Sequence, residues 1–155
     1  MNEQRQMTLA MLRATRNNIL GIYNSYDYDH LNSIPAGLSN NLLWNAGHVM
    51  VTLDLLTYGL AGLPLPSDPG LVARYRKGSR PDGQEPESDY GLIGESLLHR
   101  VDRLEEDLQS LDFSNFKVYT TSFGVTLHNI DEALTFNNMH EAMHLGTMLA
   151  LRKLL

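Results

Sequence analysis

The chain contains no cysteine. Disulfides and thiolate metal ligands are therefore excluded, and the absence fits a reducing compartment. Proline is scarce and unevenly placed. Of the 6 prolines, Pro64, Pro66, Pro69, Pro81 and Pro86 crowd into one stretch, and only Pro35 lies outside it. No proline interrupts residues 1–34, 36–63 or 87–155, so three long stretches are free to be helical. Basic residues are in deficit: 12 Lys and Arg face 18 Asp and Glu, for a net charge of -6. Phosphate binding needs a basic face, so neither nucleic acid nor an anionic membrane is expected as a partner. No run approaches the roughly 18 uninterrupted apolar residues of a membrane-spanning helix. The opening residues have neither the apolar core nor the small-residue cleavage site of a secretory signal. A soluble, cytoplasmic protein is expected.

What is present is an ordinary globular composition. With 43% hydrophobic and 19% charged residues over 155 positions, the chain can bury a core without staples, as one domain spanning residues 1–155. Helical spacing of Leu9, Leu12, Ile19, Leu20 and Tyr23 predicts a first helix over about Glu3–Tyr26. A second is expected after a cap at Ser39, running to about Tyr58 and apolar around most of its circumference. The third has the cleanest stripe: Ile93, Leu97, Val101, Leu104, Leu108 and Leu111, backed by Asp102, Arg103, Glu105, Glu106 and Asp107. Residues 112–125 are rich in aromatic and β-branched side chains. They read as a packed loop, because a single short strand has no partner in a helical chain. From about Thr126 a fourth helix can run to the C-terminus, with Asp131 and Glu132 early and Arg152 and Lys153 late, as the helix dipole favours. The fold class is all-α: an up-down four-helix bundle with long loops after helices two and three.

The chemistry-bearing residues lie on the second and fourth helices. His140 and His144 are one helical turn apart and leave the same face. Ala133, Phe136, His140, Met143, Thr147 and Leu151 follow core spacing, so both imidazoles point inward and need partners for their ring nitrogens. A metal site and a hydrogen-bonded core both satisfy that need. The string His140-Glu141-x-x-His144 matches a zinc-protease motif, but those enzymes take a third ligand downstream, and no His, Asp or Glu follows His144. Glu141 is also simply a good helix former. A di-iron bundle needs two Glu-x-x-His pairs, and only Glu141 and His144 make one.

Of the other histidines, His30 follows a loop, His99 lies next to the third helix's apolar stripe toward its polar side, and His128 is three turns from His140. His48 differs. It is mid-helix, with Trp44, Val51 and Leu55 on the same side and Gly47 beside it. Glycine costs about 1 kcal/mol in a helix interior, which is tolerable where a close approach or a bound ion needs the space. Asn41, Asn45 and Asn137 are in register to support such a site, or are polar residues at helix edges. The loop Arg74-Tyr75-Arg76-Lys77-Gly78-Ser79-Arg80 is the one basic cluster, either solvated or gripping an anion at the bundle mouth.

Leu43-Trp44-Asn45-Ala46-Gly47-His48, the Tyr75–Pro81 loop and His140-x-x-x-His144-x-Gly146 together resemble the DinB-like superfamily, which includes the YfiT-type metal-dependent hydrolases. Helix order agrees over nearly the whole chain. The resemblance implies that His48, His140 and His144 hold one divalent metal ion, nickel or zinc. It further implies a thiol-dependent transferase or hydrolase acting on a small-molecule substrate, with a low-molecular-weight thiol as possible cosubstrate. Leu145 and Thr147 depart from the family pattern, in which a basic residue and glutamine are common. Three histidines leave a fourth position open, the arrangement of a catalytic rather than a structural ion. The pocket above it should be rimmed by residues 61–88 or 112–125. A sealed site would instead use Asp54, Asn41, Asn45, Asn137 or Glu141 as fourth ligand, in a metal-binding or stress-associated bundle without turnover. A two-fold homodimer is expected, because relatives often pair and the second helix is apolar nearly all round.

Overall fold

Helix α1 (Glu3–Tyr23) begins where the Asn2 side chain accepts the backbone N–H of Arg5, closing one of the free donors of the first turn. The computed structural model describes residues 2–155. Helix α1 ends three residues before the expected Tyr26. Asp27 then caps a further short helix, α2 (Tyr28–Asn32), by accepting from His30 N–H. The side chain of Asp27 competes with helical continuation, the usual behaviour of a short acidic side chain.

Helix α3 (Leu42–Asp54) starts two residues later than expected, because Asn41 rather than Ser39 supplies the cap, accepting from Trp44 N–H at 2.7 Å. Every residue of α3 except Thr52 is buried. One chain covers this helix by itself, so its apolar circumference creates no demand for a second copy. The helical path runs past the expected end near Tyr58, and residues Leu55–Gly59 widen into a π-helical turn.

The long connection that follows is not all loop. Asp68 caps and Pro69 opens a helix α4 (Pro69–Tyr75), proline being well suited to the first helical position. Helix α5 (Glu87–Ser110) buries Ile93, Leu97, Val101 and Leu104 as its stripe requires, while Leu111 lies beyond its end and is exposed. The 112–125 segment also departs from expectation. Tyr119–Thr120 (β1) pairs antiparallel with Thr126–Leu127 (β2), and the second arm of this hairpin takes the residues expected to open the last helix. Helix α6 therefore begins later, at Ile130, capped by Asn129, and runs to Leu151.

The protein is all-α apart from that small hairpin. Helices α1 and α3 each pack against both α5 and α6. The main core cluster joins Ile19, Leu42, Val49, Ile93, Leu97 and Met148, so side chains from all four long helices meet in one interior. No helix among the described residues is long and apolar enough to cross a membrane.

Candidate metal centre

The inward face of α6 is turned slightly from the expected one. Ala133, Leu134, Asn137, His140, Glu141, His144, Met148 and Leu151 are buried, whereas Met143 is exposed and Thr147 only half-buried. Glu141 belongs to that buried face. Its carboxylate is fully buried and takes two bonds from the guanidinium of Arg16 on α1, at 2.5 and 2.8 Å. Arg16 also donates to the Leu97 carbonyl on α5 at 2.9 Å and to the Val49 carbonyl on α3 at 3.0 Å. One guanidinium thus ties together all four long helices, and it does so next to His48 and between the turns that carry His140 and His144. Asn137 completes the set by donating to Glu141 at 2.8 Å.

His48, His140 and His144 converge as the resemblance implies. The Nε2 atom of His140 is 3.2 Å from Nε2 of His48 and 3.2 Å from Nε2 of His144. The opposite ring nitrogens explain how two of these rings are held. His48 Nδ1 meets the Tyr75 carbonyl at 2.7 Å. A carbonyl only accepts, so Nδ1 carries the proton and Nε2 presents a lone pair. His144 Nδ1 meets Asn45 Oδ1 at 2.8 Å. The Asn45 amide is oriented by its own NH2, which donates to the Asn41 carbonyl at 2.7 Å and to Asn40 Oδ1 at 3.0 Å. The oxygen is thereby left for the histidine, so the lone pair of His144 also faces the common point. This is the arrangement by which outer partners fix a metal-ligating imidazole.

Electrostatics point the same way. Burial pushes the His144 pKa down to about 3, with His140 and His48 adding to the effect. Burial, then His48 and Arg16, pushes His140 down to about 4. Burial lowers His48 as well, and its bond to the Tyr75 carbonyl offsets this only in part. All three rings are held neutral near pH 7, the form that ligates metal. The Nδ1 of His140 is buried without a hydrogen-bond partner among the described residues. Three neutral imidazoles with ligating atoms within 4.8 Å of one another could hold a metal ion. Two fixed lone pairs aimed at one point fit a cation far better than a purely hydrogen-bonded core.

The surroundings position His48 in detail. Trp44 stacks on its ring, with centroids 4.5 Å apart, and Trp44 Nε1 donates to Ser79 Oγ at 2.9 Å. A Cβ on Gly47 would fall 2.5 Å from the ring of Tyr75, so the missing side chain serves the approach of α4 to α3. Arg74 anchors the same segment by pairing with the buried Asp89 at 2.6 and 2.8 Å. The basic cluster is therefore partly structural.

A cavity of about 540 Å3 opens beside the three histidines, lined also by Thr52, Leu55, Leu56, Lys77, Phe123 and Phe136. Its walls come from the π-helical turn and from the 112–125 segment, with Lys77 as the contribution of the long connection. None of the candidate fourth ligands lines it. Asp54 bonds Ser67 and faces Arg100, Asn41 caps α3 and bonds Asn32, Asn45 and Asn137 are engaged as above, and Glu141 belongs to Arg16. The protease-like reading of Glu141 is thus excluded by its ion pair as well as by sequence. Thr52, absent from the sequence reading, lies 3.4 Å from His48 Nε2 through its hydroxyl. His30, His99 and His128 are exposed and apart.

Arg16 is the other omission. Its signal was the gap between Leu12 and Ile19: position 16 falls on the same face, so a charged residue there is buried and needs a buried partner.

No curated protein matches the chain. Residues 11–148 match the DinB superfamily, a span that includes all three histidines, Arg16 and Glu141, and the chain belongs to that superfamily.

Proposed function

We propose that the protein is a metal-dependent enzyme that acts on a small molecule at His48, His140 and His144, with nickel or zinc as the ion. The observation that carries this reading is the convergence of three Nε2 atoms beside an open cavity into which no carboxylate or amide projects. A structural ion would be closed by a fourth protein ligand. A divalent ion bound there would supply Lewis acidity, lowering the pKa of a coordinated thiol or water. The protein's own part is to hold three neutral donors in fixed tautomers through Tyr75 and Asn45, and to keep the site walled by apolar side chains.

Between the two chemistries the family resemblance implies, thiol-dependent transfer is favoured over hydrolysis. No carboxylate lines the cavity to serve as a general base. A thiol cosubstrate would bring its own nucleophile, and activation would come from the ion. A cytoplasmic location accompanies this proposal, as does a two-fold homodimer that rests on the family resemblance alone; light scattering at tens of micromolar tests the latter. The test of function is transfer of low-molecular-weight thiols to an electrophilic bimane probe, run beside an ester-hydrolysis assay. Metal-free protein, nickel- and zinc-loaded protein and the His140→Ala variant are compared. Transfer that needs the ion and is lost in His140→Ala supports the reading. Equal rates in all samples would contradict it and favour a bundle that binds metal without turnover.

A further inference from the structure

We infer that the cavity takes a small apolar molecule bearing an anionic group, and that Lys77 receives the anion. The inference deepens the proposed function and rests on it for the place of the reactive ion. Six large apolar side chains line the cavity: Leu55, Leu56, Leu60, Phe123, Phe136 and Met143. Phe123 and Met143 are exposed, 55% and 44%, although both are large and apolar. A ligand with an apolar body would cover them. The volume of about 540 Å3 falls within the roughly 300–1,000 Å3 of sites that enclose a small organic ligand.

The charge pattern supplies the other half. Acidic residues outnumber basic ones 18 to 12 in the chain, yet none lines the cavity. Lys77 is the single Lys or Arg that does. Lysines on loops are usually just solvated, but the position of this one is set by the site itself. Two residues before it, the Tyr75 carbonyl holds His48; two residues after it, Ser79 Oγ holds Trp44. Arg74, in the same segment, is neutralised by Asp89, whereas Lys77 makes no ion pair among the described residues. The Lys77 side chain, exposed and free of an ion pair, thus borders the same apolar chamber as the three histidines. A carboxylate on an aliphatic or aromatic body matches that layout.

Trp44 is the single tryptophan and stacks on His48, so its emission reports on the site. The experiment titrates octanoate, hexanoate, 1-octanol and octylamine into metal-free and zinc-loaded protein, for wild type and Lys77→Gln. Octanoate should bind at least about fivefold tighter than 1-octanol or octylamine in both forms of the wild type. Hexanoate should bind on the order of tenfold weaker than octanoate, since each buried methylene contributes about 0.8 kcal/mol. Lys77→Gln should erase the difference between octanoate and 1-octanol. Octylamine binding as tightly as octanoate, an anion preference that survives Lys77→Gln in metal-free protein, or no saturable binding would each overturn the inference. Zinc binding is followed separately by equilibrium dialysis. Its failure would sink the proposed function, while the metal-free series would still decide the ligand class.

Discussion

Arg16 and Glu141 form a two-point ion pair in which both side chains are wholly inaccessible to solvent. Such a pair is not in itself strong evidence of stability, because desolvating two charges offsets much of their attraction. Breaking it from one side is another matter, since the remaining charge is left buried without a partner. Arg16→Met should cost about 3–5 kcal/mol in chemical denaturation. Arg16→Met combined with Glu141→Leu should recover most of that loss. If the single variant were as stable as wild type, the clamp described for α1, α3, α5 and α6 would be wrong.

Gly47 tests the approach of α4 to α3. In an open helix interior, replacing glycine by alanine stabilises by about 1 kcal/mol. Here the added methyl meets the ring of Tyr75, which is itself fully buried and has little room to yield. Gly47→Ala should therefore destabilise, by roughly 1–3 kcal/mol, and should weaken metal binding through the displaced Tyr75 carbonyl. A gain in melting temperature would show that the two elements are less tightly packed than described.

Asn45 acts on His144 from behind. Removing an outer partner of a ligating histidine lowers metal affinity by roughly 10–100-fold. Asn45→Ala is expected to fall in that range while far-ultraviolet circular dichroism is little changed. Competition against a chromophoric chelator measures it, and unchanged affinity would remove Asn45 from the site.

The helical framework and the His140/His144 pair are legible because each rests on local periodicity, whereas His48 joins them only through the family resemblance. The stripe of α5 and the one-turn spacing of His140 and His144 need no knowledge of the rest of the chain. What was not legible depends on partners distant in sequence. Glu141 reads as a good helix former, and only Arg16, distant in sequence on the first helix, accounts for its burial. The strand at Tyr119–Thr120 has no evident partner in the sequence, yet Thr126–Leu127 supplies one. Helix α4 was readable from Asp68 and Pro69, but the surrounding prolines concealed it. The role of Tyr75 lies in a backbone carbonyl, which no side-chain pattern reveals.

Acid should loosen the metal-free protein. Histidines in the unfolded chain titrate near about 6.5, while burial takes His140 to about 4 and His144 to about 3. Between those limits the unfolded chain binds more protons than the folded one, so stability rises with pH. The contribution is complete above about pH 6.5 and is lost progressively as pH falls toward the folded values. Urea midpoints at several pH values from neutral to about 4.5 should fall accordingly in metal-free protein, and the slope should shrink in His144→Gln. A flat profile over that range would show that the histidines are not held neutral.

The central claim is that His48, His140 and His144 share one ion. X-ray absorption spectroscopy of zinc-loaded protein, with metal content determined on the same sample, tests it most directly. The account predicts one zinc per chain, with three imidazole nitrogens at about 2.0–2.1 Å and a fourth oxygen scatterer that lacks the outer-shell signal of an imidazole. It also predicts that the zinc is gone from the His48→Ala, His140→Ala, His144→Ala triple variant while its helical signal remains. Retention of zinc by that variant, or a first shell with fewer than three imidazoles in the wild type, would contradict it.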